Sequence, residues 1–93
     1  MTTLADLKEQ ATTRAASIES YANEHIRPQS PGFPKSTLGG LKFDVEHGYA
    51  DQALATLRQY QTALSAGDIE RHESFCVDMG HFETAMKSAK HLA

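Results

Sequence analysis

The chain has 93 residues, of which 40 % are apolar and 23 % charged, with no tryptophan and a formal net charge of −3. That length supports one hydrophobic core and is too short for two, and the composition excludes a disordered tail. Acidic and basic residues are interleaved along every segment, so no stretch is prepared to neutralise a phosphate backbone or to imitate one, and nucleic acid is not an expected partner.

The opening MTTLADLKEQ has neither the basic start nor the apolar run of a secretory signal. No segment reaches the roughly 18 to 20 apolar residues of a membrane span, so a cytoplasmic location is expected. From Leu4 to Ile26 the positions Leu4, Leu7, Ala11, Ala15, Ile18, Ala22 and Ile26 recur every three or four residues, which predicts a helix over about 3–26. Thr3 with Asp6 reads as a variant capping box at its start. Pro28 is expected to push Arg27 out of the α region and so end it. The inner face is mostly alanine, which calls for a close neighbour, with Tyr21 and Ile18 supplying most of the area.

A Pro/Gly-rich loop follows over 27–37, where Pro28, Pro31 and Pro34 stand three apart and neither helix nor sheet can continue. Phe33 is expected to pin this loop onto the helices. Lys35, Ser36 and Thr37, just ahead of a helix N-terminus, are also the raw materials of an anion site. They do not form a P-loop, whose glycines and lysine follow a strand.

Leu38, Leu41, Val45, Tyr49, Ala53, Leu57, Tyr60 and Leu64 run in phase, which predicts one helix over about 38–66, capped by Thr37 in preference to Asp44. Tyr60 is expected to bury its ring and bring its hydroxyl to the rim. Gly67 is expected to close this helix and Asp68 to cap the next, over about 69–92, with Phe75, Cys76, Met79, Phe82 and Met86 on its inner face. So short a connection predicts an antiparallel hairpin in which Leu57 meets Cys76 and Tyr49 meets Ala85. The fold expected is all-α: three helices, the second and third forming a long hairpin and the first packed on it. Because alanine dilutes the core, a homo-oligomer is also expected, and the long loop gives helix one the reach to exchange between subunits.

Five histidines, at 25, 47, 72, 81 and 91, raise the question of a metal. Asp44-x-x-His47 and Asp78-x-x-His81 resemble the carboxylate-x-x-His pairs of di-metal bundles, but the bridging glutamates are missing. The hairpin register would also set the two pairs about 9 Å apart at about 1.5 Å per residue. His72 and Cys76, four apart, make half a site, and there is no second cysteine. Cys76 lies mid-helix rather than at a helix N-terminus, where a thiol is activated. No metal, cofactor or enzymatic activity is therefore expected.

The chain reads as a non-enzymatic helical interaction protein. Its size and acidity suit a small regulator or inhibitor that docks on a larger protein or complex, of the kind mobile genetic elements encode. Contacts are expected from Phe33 and Lys35 in the loop and from Arg14, Arg58 and Arg71 on polar helix faces. The alternative is a binder of a small anionic ligand such as a nucleotide, held between subunits by Lys35, Ser36, Thr37 and the N-terminus of helix two.

Overall fold

The computed structural model describes residues 3–35 and 40–92, with side chains through Lys90, and all of its regular structure is helical. Helix α1 spans Leu4–Tyr21. Thr3 caps it: its hydroxyl accepts from the Asp6 N–H at 3.1 Å while the Asp6 carboxylate accepts from the Thr3 N–H at 3.3 Å, satisfying two donors that a bare helix end leaves open. The helix then widens into a π-helical turn, Ala22–Ile26, closed by the Arg27 N–H on the Ala22 carbonyl. Leu7, Ala11, Ala15, Ile18, Ala22 and Ile26 form its buried face. Arg27 itself stays in the α region, at φ −60° and ψ −36°, contrary to the expectation from Pro28. Gln29 and Ser30 both donate to the Ile26 carbonyl and turn the chain there, so the helix ends by this local turn rather than by displacement of Arg27.

Where the apolar phase predicts one helix over 38–66, the structure has two, α2 Leu41–Glu46 and α3 Ala50–Ala63. The break is a Schellman motif. Gly48, at φ +76°, donates to the Val45 carbonyl, and Tyr49 donates to the Asp44 carbonyl at 2.8 Å, so the last carbonyls of α2 are satisfied by a left-handed residue and not by a further turn of helix. The start of helix two at Thr37 lies outside the described residues; α2 follows Gly40, at φ +104°.

The second turn also differs from expectation. Leu64 is extended, and Ser65, not Asp68, caps the short helix α4 Ala66–Arg71, with Asp68 as the third residue of a capping box. Gly67 therefore lies inside α4. A kink at His72 leads into α5, Glu73–Leu92. The extra turn shifts the register between α3 and α5: Asp51 pairs with Lys90, several residues beyond the predicted Tyr49–Ala85 level.

Packing centres on α1, which contacts α5 and α2 more extensively than α3 contacts α5. It runs antiparallel to α5: Arg14 meets Asp78 at 2.7 Å, and further along α1 Tyr21 stacks on Phe75 with ring centres 5.1 Å apart. Ile18, Leu41, Leu57, Tyr60, Phe75 and Phe82 are fully buried between these helices.

Gly48→Ala is expected to lower stability by about 1 kcal/mol, because an alanine methyl meets open space there and only the left-handed backbone resists it. Equilibrium urea unfolding checks this; an unchanged midpoint would mean that the elbow does not depend on a left-handed residue.

Candidate functional site

At the ends of α2 and α3 remote from the elbow, a polar cluster joins both helices to α1. Tyr60 on α3 is fully buried, and its hydroxyl donates to Glu19 Oε1 on α1 at 2.8 Å while accepting from Arg27 Nη2 at 3.1 Å. The hydroxyl therefore points into the core, not to the rim. Arg27 also donates to the Pro34 carbonyl at 2.8 Å and lies 3.6 Å from the second Glu19 oxygen. Its guanidinium sits over the rings of Phe33 and Tyr60, at 5.6 and 5.7 Å. Glu19 Oε1 further accepts from the Leu41 N–H at 3.4 Å, placing a carboxylate at the positive end of α2. One ion pair thus ties α1, the proline loop, α2 and α3 together. Burial first, and then the Glu19 carboxylate, push the Tyr60 hydroxyl from 10.0 up to about 12.

On the outside, the elbow between α2 and α3 exposes aromatic rings. Phe43 stacks on His47 at 4.0 Å and 20°, held there by the His47 Nδ1–H donating to the Phe43 carbonyl. Tyr49 stands 6.2 Å from each ring. Phe43 is 36 % exposed, Tyr49 46 % and Leu4, at the start of α1, 45 %. All three line one groove of about 830 Å³, with Met86 of α5 in its wall and Lys8, Asp51 and Lys90 around it. A second hollow, of about 690 Å³, adjoins it through Asp51 and Lys90 and carries Arg58 and Lys87. A concave, largely apolar site with a few polar groups at its edge has the form of a binding site. The interleaved sequence hid this arrangement, since its cations come from α1, α3 and α5 and meet only in the fold. The His-Gly pair at 47 and 48, a helix-stop signal, was the one local clue to the elbow.

The residues singled out in the sequence do not form one site. Phe33 is buried, 5.0 Å from the Tyr60 ring and 6.5 Å from Phe75, so it serves the core and offers no contact surface. Lys35 is exposed at the end of the described loop, whereas Ser36 and Thr37 lie outside the described residues. Arg14 is engaged by Asp78. Arg58 and Arg71 are exposed on separate helices, and only Arg58 borders the hollow beside the groove.

Two of the histidines, His25 and His72, flank the Tyr21 ring, at 4.7 and 5.6 Å. His47 belongs to the elbow, His72 Nδ1 lies 2.8 Å from the Tyr21 hydroxyl, and His25 sits beside Glu24; the side chain of His91 lies outside the described residues. Asp44 is fully buried while His47 is exposed. Among the described residues, no three His, Cys, Asp or Glu side chains gather as a metal site. Burial pushes the Cys76 thiol up, away from the reactive thiolate. No helix among the described residues is long and apolar enough to cross a membrane.

No family model matches the chain, and neither a curated protein nor a solved structure shows significant similarity to it.

Phe33→Ala should cost about 3 kcal/mol or more, as removal of a buried ring does, whereas Lys35→Ala should leave stability within about 0.5 kcal/mol; thermal unfolding separates the two. The folded-state pKa of Tyr60 lies above its unfolded value, so its contribution to stability is complete below pH 10.0 and is lost as pH rises toward about 12. Urea unfolding across that window should show stability falling, and Tyr60→Phe should flatten the fall. An equally steep fall in the variant would assign the effect to other groups.

Proposed function

We propose that the chain is a non-enzymatic interaction protein, a small regulator or inhibitor that docks on a larger protein or complex through the groove at the α2–α3 elbow. The observation that carries this reading is the gathering of Leu4, Phe43 and Tyr49 at one concavity. Scattered single apolar residues are ordinary on a protein surface, but several converging on one groove mark a place where another molecule removes them from water. Aromatic side chains are also the residues that most often anchor protein interfaces, because they bury large area at small cost in side-chain entropy. The Schellman motif sets the backbone between Phe43 and Tyr49, and the His47 ring is held against Phe43 by its hydrogen bond to the Phe43 carbonyl, which limits the ordering left to be done on binding.

This reading moves the docking surface away from the proline loop, whose aromatic residue is consumed by the core, and keeps Arg58 at its margin. A photo-crosslinking benzoylphenylalanine at position 49, introduced in the producing cell, tests it. Illumination should yield an adduct between the chain and one larger protein, absent when the same group replaces Glu73, which is exposed at the start of α5. Tyr49→Asp should abolish co-purification of that protein while leaving helicity unchanged. Adducts with the chain alone, or none at all, would remove the groove as a docking site for a larger partner.

A further inference from the structure

The groove and the hollow beside it share a wall, since Asp51 and Lys90 line both. Around that wall stand Lys8, Arg58 and Lys87. Four of the nine lysines and arginines of the chain thus border the two adjoining hollows, and Asp51 is the one carboxylate among the described residues that line them. Lys90 is paired with Asp51 and Lys87 with Glu83, while Lys8 and Arg58 have no ion-pair partner among the described residues. In a chain with a net charge of −3, this is a local reversal of sign beside an apolar groove.

An occupant that fits both halves must present an apolar ridge flanked by carboxylates. A helix with anchors at i, i+3 or i+4 and i+7 does this, because its next row of side chains lies alongside the apolar one. Resting on the reading of the groove as a docking surface, we propose that the partner segment is an acidic amphipathic helix. Its apolar side chains enter between Phe43, Tyr49, Leu4 and Met86, and its carboxylates lie over Arg58, Lys87 and Lys90. A nucleic acid suits the surface less well. Phe43 and Tyr49 could stack bases, but Asp51 stands among the cations and the negative charge of the whole chain opposes the approach of a polyanion.

The test uses the full chain and three fluorescent probes: two designed helical peptides with the same apolar face, one flanked by glutamates and one by lysines, and a single-stranded oligonucleotide. Fluorescence anisotropy should show the glutamate peptide binding roughly tenfold more tightly than the lysine peptide, as two or three exposed ion pairs provide. Added salt should shrink that difference. The charge-reversed variant R58E/K87E, altered only at exposed positions, should reverse the preference with its circular dichroism unchanged. Equal affinity for both peptides, lost on Tyr49→Ala, would overturn the acidic-helix assignment and leave the docking groove standing. Failure of both peptides to bind, or binding indifferent to Tyr49→Ala, would overturn both. Tighter binding of the oligonucleotide than of the glutamate peptide would replace the proposed partner with a nucleic acid.

Discussion

The arrangement of this small bundle depends on the partly buried contact of Glu19, Arg27 and Tyr60. Glu19 and Arg27 keep 22 % and 12 % of their side-chain surface exposed, so each ion is partly withdrawn from water, and that cost is offset where the remaining lone pairs and protons find partners. Here the Tyr60 hydroxyl lies between the two charges, the Pro34 carbonyl takes another guanidinium proton, and the Leu41 N–H shares the carboxylate. Arg27 Nε is buried without a hydrogen-bond partner among the described residues, so the network is not complete. Because its members come from four separate segments, the geometry can be satisfied only when α1, the loop, α2 and α3 are all in place. An alanine-rich interface supplies little shape of its own, so the specificity of the arrangement is expected to come from this cluster.

The elbow follows from the same constraint. With α2 held at its N-terminus by Glu19 and α3 held at Tyr60, the chain between them turns back at Gly48, and the Schellman motif ends α2 without leaving its last carbonyls open. A straight helix would have carried Tyr49 inward with Val45 and Ala53. The break turns it outward beside Phe43 and His47, and the start of α1 and the end of α5 complete the groove around them. The surface proposed as the docking site is in this sense a product of the fold: the Schellman break that ends α2 also turns the rings outward.

Much of the fold is legible in the sequence because apolar periodicity reports burial well. Every position assigned to the inner face of helix one from Leu7 to Ile26 is buried, and so are Leu41, Val45, Ala53, Leu57, Tyr60 and Leu64. Periodicity cannot see a break that preserves phase, and the elbow is such a break: Gly48 ends one helix and the next begins with its apolar stripe still in register. The Ser65-x-x-Asp68 capping box was present in the sequence, but Gly67 offered a competing stop signal two residues later, and α4 shifted the register of everything beyond it. The site was less legible than the fold. Phe33 looked equally like an anchor and a contact, and its burial against Tyr60 and Phe75 decides for the anchor. Lys8, Arg58, Lys87 and Lys90 are spread over eighty residues, so their convergence depends on long-range packing that no local pattern records.

The most direct measurement is a double-mutant cycle between Glu19→Gln and Arg27→Met, read by equilibrium urea unfolding of the two single variants and the double variant. If the partly buried pair organises the bundle, each single change leaves its partner uncompensated, and the double variant should be more stable than the sum of the two losses predicts, by about 1 kcal/mol or more. Losses that add to within about 0.5 kcal/mol would mean that the two charges act independently and that the bundle is held by something else.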